Sequence, residues 1–319
     1  MAYSGGQMKD VPVWKKKLSG CGKSIVRNWQ LYLFLLPAVA LVFCFNYLPI
    51  YGIQIAFKDF LPKLNIEGSP WVGLKHFEKF FTSFQAKSLI TNTVVLSLYS
   101  LIASFPFPII LAVMTNQIRS KRFKKALQVT TYLPHFISTV VMVGIMLLLL
   151  SPSNGIVGNI SKLTGDMNPP NVMGDPGAFR HIYVWSDIWQ HMGWDSIIYI
   201  AALAAIDPAL YEAATVDGAS KFQRIIFIDL PFLVPTIVIL LIMRAGNIMN
   251  IGFEKVYLMQ NPLNTSVSEV IATYVYKVGI INNQYSFSAA VNLLNNLVNF
   301  FMLVLVNQIS RRFSDSSLW

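Results

Sequence analysis

Six long blocks of apolar residues, separated by polar loops, constrain this chain more than any other feature of its sequence. They cover about 29–51, 89–115, 131–151, 182–206, 229–251 and 287–308. At about 1.5 Å per residue, about 20 helical residues cross the hydrocarbon core of a bilayer. Charged residues make up only 13% of the chain, against about 25% in soluble domains. The sequence therefore predicts an all-α, polytopic membrane protein with six transmembrane helices.

Lysine and arginine are concentrated in alternate loops, which sets the predicted orientation. Residues 1–28 and the loop 116–130 are rich in both, and further basic pairs occur in the loop 207–228 and near the C-terminus. By the positive-inside rule these segments lie in the cytoplasm. We therefore expect cytoplasmic tails at 1–28 and 309–319, on either side of a transmembrane domain at 29–308. The net charge of +10 indicates topology rather than nucleic-acid binding.

Other features limit the chemistry that this chain can perform. The first apolar block lacks a small-residue cleavage site and is expected to remain as an anchor. The sequence contains no glycine-rich phosphate loop followed by Lys-Ser or Lys-Thr, so no nucleotide site is predicted. Its two cysteines, Cys21 and Cys44, cannot form a disulfide framework. No metal site is predicted from its four scattered histidines, which are His76, His135, His181 and His191.

The predicted loops differ in regularity. The segment 152–181 is rich in glycine and proline and is expected to be irregular. In the segment 252–286, by contrast, apolar residues recur at helical spacing from Val267 to Val278. This pattern predicts a short amphipathic helix.

The connector 207–231 carries strong helix-end signals. Asp207 followed by Pro208 is typical of a helix start, and Gly218 can supply a left-handed turn at the helix end. A capping box from Ser220 to Gln223 then predicts a second helix, which leads to Leu230 and the fifth apolar block. A short, rigid connector of this kind would transmit a push to both neighbouring helices.

The same connector contains the pattern E-A-A-x3-G-x9-I-x-L-P. Its positions are occupied by Glu212, Ala213, Ala214, Gly218, Ile228, Leu230 and Pro231. This pattern resembles the EAA loop of binding-protein-dependent ABC importer permeases. The resemblance implies the ABC type I importer permease fold, with the helix 208–217 as the coupling helix. It also implies that Glu212 docks in a groove of an ATPase subunit, where Ala213, Ala214, Asp217 and Gly218 form the contact segment.

The resemblance extends over nearly the whole chain, and five further segments carry it. They are Leu33–Pro37, Ile55–Phe60, Tyr132–Ser138, Gly252–Leu258 and Ser317–Trp319. They resemble the carbohydrate-uptake branch of these permeases, and within it the subgroup that handles oligosaccharides and polysaccharide fragments, including uronate-containing ones.

The family's known organisation then supplies the expected partners. These are a second homologous permease subunit in a heterodimer, two cytosolic ATPase subunits that hold ATP and Mg²⁺, and an extracytoplasmic solute-binding protein. The chain itself would be a transport subunit in a bacterial cytoplasmic membrane, in contact with lipid and without nucleic acid. It would bind no cofactor. Closure of the ATPase dimer would move the coupling helices and rock the spans from inward-facing to outward-facing.

Polar side chains within the apolar blocks mark a candidate substrate path, since such groups are costly in hydrocarbon. They recur at helical spacing on three blocks. The fourth carries Asp187, Gln190, His191 and Trp194, the fifth Arg244 and Asn247, and the sixth Asn292, Asn295, Asn296 and Asn299. Each face lies roughly 10–14 Å inside its block. Matching depths favour a sugar cavity in the outer half of the membrane.

Alternative readings of these faces remain open. The asparagines of the sixth block could join helices or seal a subunit interface. Arg244 could pair with Asp187 or Asp195, whereas an unpaired Arg244 would favour a carboxylated sugar. The cargo could also be another solute, such as a peptide or a glycerol phosphodiester. Finally, an intramembrane enzyme could use Asp187 and His191 as acid and base on a lipid-linked sugar.

Overall fold

The structure is a computed structural model that describes residues 27–165 and 168–313. Most of the predicted N-terminal tail, with Cys21, and the final Ser317–Trp319 segment lie outside the described residues. The chain divides into two compact units, one ending at Gln54 and the other beginning at Ile55. Within the first unit, Trp29–Val42 is α-helical and continues through a π turn at Phe43–Tyr47. A 3₁₀ segment, Leu48–Phe57, leads into the second unit.

Helices make up almost all of the regular structure in the described residues, and one antiparallel bridge joins Lys58 to Trp71. In chain order the α-helices are α1 Trp29–Val42, α2 Asn65–Gly68, α3 Lys75–Phe81, α4 Ala86–Ser104, α5 Pro106–Asn116, α6 Lys121–Tyr132, α7 Thr139–Leu149, α8 Ile156–Leu163, α9 Pro176–Ala204, α10 Pro208–Val216, α11 Lys221–Arg224, α12 Leu230–Ala245, α13 Phe253–Met259, α14 Thr265–Ser268, α15 Ile271–Tyr276 and α16 Tyr285–Phe313. Short 3₁₀ segments occur at Pro62–Leu64 and Leu133–Phe136, and π turns at Ile225–Asp229 and Lys277–Ile281.

The long apolar helices agree with most of the predicted spans. Four are long and apolar enough to cross a membrane, namely Trp29–Phe57, Ala86–Asn116, Lys221–Ala245 and Tyr285–Arg312. The number reaches six if each of two bent helix pairs is one span. One of these pairs contains α9, whose 29 residues are ample to cross a bilayer. The predicted fifth block runs too far, because its helix ends at Ala245 and turns follow.

The predicted third span is wrong as a single helix from 131 to 151. The segments Lys121–Phe136 and Thr139–Leu149 meet at 96°. Pro134 lies just before the break, where its missing N–H and fixed φ disfavour a continuing α-helix. Ser138 then caps α7 by accepting a hydrogen bond from the Val141 N–H at 3.3 Å. The break therefore has a local cause in the sequence.

The two long loops differ from their predictions in part. The segment 152–181, expected to be irregular, contains the eight-residue helix α8. In the segment 252–286 the expected helix is present as Ile271–Ile281. It does not include Val267, because Glu269 and Val270 adopt extended backbone conformations that interrupt the helical run.

The buried core of the second unit lies around α9. The largest cluster packs Phe179, Tyr183, Val184 and Ile188 of this helix against Leu96 of α4 and Val143 of α7. A separate cluster at the other end of α9 joins Tyr199 and Leu203 to Ala112 of α5 and Leu233 of α12. The helix α9 contacts α4, α5, α6 and α12, which places its polar residues among several other elements.

Candidate functional site

A polar cavity of about 570 Å³ lies among α4, α5, α9 and α12. Its charged lining comes from Asp187, His191 and Asp195 of α9 and from Arg244 of α12. The neutral polar lining consists of Ser97, Ser100, Ser104, Asn247 and Asn250. Such a mixture of charged groups, hydroxyls and amides is suited to a hydrophilic ligand.

The predicted polar face of α9 is divided between two environments. Asp187 and His191 line the cavity, and the His191 Nδ1 atom lies 3.2 Å from the Asp187 Oδ1 atom. Gln190 is buried instead and donates a hydrogen bond of 2.8 Å to the Ile137 carbonyl oxygen. Trp194 stacks on His135 with ring centroids 4.4 Å apart. Gln190 therefore supports the break between α6 and α7. Trp194 does not line this cavity, but it lines a neighbouring one together with Asp195 and Arg244.

Arg244 is paired with Asp195, which is one of the two partners that the sequence suggested. Its guanidinium forms an ion pair with Asp195, and it donates a hydrogen bond of 3.2 Å to the Ser104 hydroxyl. About a third of each charged side chain remains exposed. The condition of an unpaired Arg244 is therefore not met, although the guanidinium still faces the cavity. Asn247 also lines the cavity, from the turn that follows α12.

Lys255 of α13 is a charged residue that the sequence analysis missed. Its ammonium is 3.4 Å from the Asp187 Oδ1 atom and 5.0 Å from the centre of the Tyr183 ring, with only 6% of the side chain exposed. Asp187 is thus held between Lys255 and His191. The sequence did not predict this contact, because helical spacing relates only residues of the same helix, and Lys255 lies just outside the fifth apolar block.

The asparagines of α16 do not line this cavity. Asn295 donates a hydrogen bond of 3.2 Å to the Asn250 side-chain oxygen, and the Asn299 side-chain oxygen accepts one of 2.9 Å from the Met249 N–H. These two residues join α16 to the turn after α12, as the helix-joining alternative describes. Asn292 and Asn296 lie at the edge of the same helix face and are exposed. The proposed role of Asn292, Asn295 and Asn296 in the substrate path has no support from this geometry.

The EAA segment, residues 207–231, has the local structure that its sequence predicts. Asp207 caps α10 by accepting a hydrogen bond of 2.9 Å from the Ala209 N–H. Gly218 has a φ of +75°, in the left-handed region, and ends the helix. Ser220 and Gln223 form the reciprocal capping box that opens α11. The segment is therefore a compact helix–turn–helix.

The signature residues of this segment fall on two sides. Glu212, Ala213 and Asp217 are exposed, and Ala214 is half-buried. Exposed apolar side chains, Leu210, Val216 and Phe222, surround them. Leu230 packs into the cluster around Leu233, whereas Pro231 lies in the first turn of α12 and is exposed. The exposed side combines a carboxylate with apolar surface.

A hydrogen bond joins α10 to the start of α12 through two residues that the sequence analysis did not single out, Tyr211 and Asp229. Tyr211 donates a hydrogen bond of 2.5 Å to Asp229, the variable position in I-x-L-P. Burial, followed by the bond to the Asp229 carboxylate, raises the pKa of Tyr211 to about 12. The hydroxyl therefore remains a donor at neutral pH.

Comparisons with known proteins agree with this architecture. The family model described as "Binding-protein-dependent transport system inner membrane component" matches residues 104–315, which is more than half of the chain. The chain belongs to this family. Membership in a family of transport permeases confirms the transport-subunit interpretation and argues against the intramembrane enzyme.

Two relatives of this permease from Bacillus subtilis (strain 168) match over almost their whole length. Protein LplB is 39% identical over 297 residues, covering 93% of each chain. The polygalacturonan/rhamnogalacturonan transport system permease protein YteP is 39% identical over 295 residues, covering 92% of each chain.

Two solved structures share the fold of this permease. One is a crystal structure of a bacterial ABC transporter involved in the import of the acidic polysaccharide alginate, with a TM-score of 0.84, 41% identity and coverage of 92% of this chain and 99% of that one. The other is a bacterial alginate ABC transporter in complex with an alginate pentasaccharide-bound periplasmic protein, with a TM-score of 0.84, 40% identity and coverage of 93% and 99%. The ABC importer permease fold expected from the sequence is thereby confirmed.

Proposed function

We propose that this chain is one permease subunit of an ATP-driven ABC importer for oligosaccharides, with uronate-containing oligosaccharides as its cargo. The observation that carries this proposal is the polar cavity with Arg244 on its wall. Relatives at about 40% identity over nearly the whole chain support the cargo class, because their names specify polygalacturonan, rhamnogalacturonan and alginate. All three contain acidic sugar units.

The cavity offers hydrogen-bonding groups that suit sugar hydroxyls. The hydroxyl groups of Ser97 and Ser100 are buried and have no hydrogen-bond partner among the described residues. Buried polar groups are normally satisfied, and a ligand in the cavity would bond to these two solvent-shielded oxygens once their side chains rotate toward it. Asn247 and Asn250 add amide groups on the opposite wall. A sugar with many hydroxyls suits such a lining, through the capacity that the amides retain beyond their bonds to Met243 and Asn295.

Arg244 supplies the recognition of a carboxylate. A guanidinium has five N–H donors, and the bonds to Asp195 and Ser104 leave others available. The charge of Asp187 is balanced by Lys255 and His191, so this aspartate repels an acidic sugar less than an unpaired carboxylate would. A uronate would therefore share Arg244 with Asp195, by accepting hydrogen bonds from the guanidinium N–H groups that Asp195 and Ser104 leave free.

The remaining parts of the importer are assigned by the family. The EAA segment would face the cytoplasm, with both termini on that side, and Glu212 would dock in an ATPase subunit. A second permease subunit would complete the translocation path, and an extracytoplasmic binding protein would deliver the oligosaccharide. The two ATPase subunits would hold ATP and Mg²⁺. The exposed carboxylate and apolar side chains of α10 and α11 support this docking role.

The test is a comparison of two cargoes in proteoliposomes that contain the complete importer. Uronate oligosaccharides and neutral oligosaccharides of equal length are supplied at the same concentration. Arg244→Gln should lower uronate uptake by roughly tenfold, the factor that corresponds to loss of about 1.4 kcal/mol of interaction, and should affect neutral uptake much less.

A control separates substrate recognition from damage to the ion pair. Arg244→Gln leaves Asp195 without its partner, whereas Arg244→Gln combined with Asp195→Asn removes both charges and keeps both side chains polar. The double variant should show the same selective loss of uronate uptake. Equal loss of both cargoes in both variants would refute the acidic-cargo proposal, and absence of ATP-driven oligosaccharide uptake by the unaltered importer would refute the importer proposal itself.

A further inference from the structure

A buried carboxylate connects the EAA segment to two long helices. Asp229 is completely buried, and both of its oxygens accept hydrogen bonds. The Tyr211 hydroxyl donates one at 2.5 Å, and the Gln117 side-chain amide donates another at 2.8 Å. The Asn116 amide in turn donates to the Tyr211 oxygen at 3.2 Å. We call these four residues the Asp229 clamp.

The clamp joins three elements that are distant in sequence. Tyr211 belongs to α10, Asn116 ends α5 and Gln117 is its C-cap, and Asp229 ends the π turn that precedes α12. In an α-helix each residue advances by about 100°, and the extra residue of a π turn changes this rotation. The π turn at Ile225–Asp229 therefore contributes to the inward direction of the Asp229 side chain.

Burial of the Asp229 carboxylate away from water costs free energy. Tyr211 and Leu230 pack against an apolar cluster that includes Ala112, Leu203 and Leu233. Tyr211, Asn116 and Gln117 also line a pocket together with Arg119, Lys221 and Arg224. Among the described residues no lysine or arginine forms an ion pair with Asp229, since Arg224 instead donates to the Thr215 hydroxyl at 3.1 Å. A carboxylate in such a place is tolerated only when its oxygens are bonded. Apolar residues alone would hold the helices together, but hydrogen bonds to a charged group also fix their relative position.

The clamp lies directly behind the surface that the proposed ATPase contact uses. Tyr211 is adjacent in sequence to Glu212, whose side chain is exposed. A displacement of α10 therefore moves the Tyr211 hydroxyl, and with it both the end of α5 and the start of α12. These two helices form part of the cavity wall, through Pro108 and Arg244.

We propose that Asp229 is a positioning residue that transmits the movement of α10 to α5 and α12, and that Tyr211 and Gln117 are the contacts through which it does so. This inference rests on the proposed importer function. It predicts that damage to the clamp uncouples ATP hydrolysis from transport while the assembled complex remains active as an ATPase.

The experiment measures uptake and ATP hydrolysis together in proteoliposomes that contain the complete importer. Tyr211→Phe removes a single oxygen atom, and Asp229→Asn removes the charge while keeping the shape. Each should lower the number of oligosaccharides transported per ATP hydrolysed by about tenfold, which is the scale expected for loss of a hydrogen bond to a charged group. The ATPase rate should stay near that of the unaltered complex.

Tyr274→Phe is the matched control. Tyr274 is a half-buried tyrosine that packs against a separate apolar cluster containing Phe287, and it belongs neither to the clamp nor to the cavity lining. This variant should leave the transport-to-ATP ratio unchanged. If Asp229→Asn does not assemble, Tyr211→Phe and Gln117→Met carry the test, since they leave the buried carboxylate in place.

Two results would overturn the inference. A parallel fall in uptake and ATP hydrolysis, with an unchanged ratio, would show that the clamp serves only assembly. An unchanged ratio at full activity would show that it transmits nothing. In both cases the unaltered importer would still transport, so the proposed function would stand. If the unaltered complex performed no ATP-driven uptake, the proposed function and this inference would both fail.

Discussion

Replacement of Gly193 by alanine tests the closest contact between α9 and the broken helix. A Cβ atom at this position would overlap the backbone carbonyl group of Thr131 in α6 and lie 3.0 Å from the Thr131 Cβ atom. Because the obstructing atoms belong to the backbone, one helix must move away from the other. The Gln190 hydrogen bond and the Trp194 stacking occur within one turn of Gly193, so the same movement strains both.

The size of the effect follows from two opposing contributions. Overpacking of a close contact costs about 1–3 kcal/mol, and the upper half of this range applies when backbone must move. Alanine in place of glycine within a helix contributes about 0.5–1 kcal/mol of stability in the other direction. The net destabilisation is roughly 1–2.5 kcal/mol. At about 2–4 °C per kcal/mol for a large domain, the Tm of Gly193→Ala should fall by several degrees.

The assay is thermal unfolding of the purified chain in mild detergent, and Gly144→Ala is the matched control. Gly144 lies in α7, and no atom would come within 4 Å of an added Cβ. This variant makes the same chemical change without the clash, so its Tm should rise slightly through the helix preference of alanine. Equal Tm changes of the same sign in both variants would refute the close approach of α9 to α6.

Three further predictions concern the EAA segment, the first loop of the second unit and the helix break. Gly218 has a left-handed backbone, so Gly218→Val should destabilise the turn by roughly 1–2 kcal/mol and abolish ATP-driven uptake. Asparagine tolerates this conformation, so Gly218→Asn should retain uptake. Equal uptake by the two variants would argue against the left-handed turn. A hydrogen bond from Lys75, at 2.6 Å, holds the pKa of Asp59 below its usual range. The ionised Asp59 carboxylate therefore stabilises the fold above about pH 4, and this stabilisation is lost as the pH falls through the lower folded pKa. In a series of unfolding measurements, Asp59→Asn should be less stable than the unaltered chain at pH 7 and equally stable at the most acidic pH. Gln190→Leu leaves the Ile137 carbonyl oxygen without its donor and should cost about 1–3 kcal/mol, measured as a lower Tm; an unchanged Tm would show that this bond does not hold the break.

Local signals in the sequence predicted the structure well where neighbouring residues decide it. The ends of the second span, predicted at 89–115 and found at Ala86–Asn116, follow from the change between apolar and polar residues. The caps at Asp207 and Ser220 and the turn at Gly218 follow from side-chain and backbone preferences of single residues. These features depend on contacts within a few residues, which the sequence displays directly.

Hydropathy alone did not reveal that the third predicted span is two helices and not one. The apolar residues on both sides of Pro134 suggested one helix, but the backbone turns by 96° there. Gln190 supports this turn from a helix more than fifty positions further along the chain. An average over apolar residues does not detect a break that is compensated by a distant hydrogen bond.

The sequence by itself determined the membrane class, most of the long helices, the conformation of the EAA segment and, through its motif, the family. Those properties arise from side-chain polarity and backbone preference along one stretch of chain. Only the tertiary structure decided which polar residues share a cavity. It brought Arg244 to Asp195 and Lys255 to Asp187, and it buried Asp229 beneath Tyr211. Helical spacing places side chains on a face, whereas the packing of other helices determines what that face contacts.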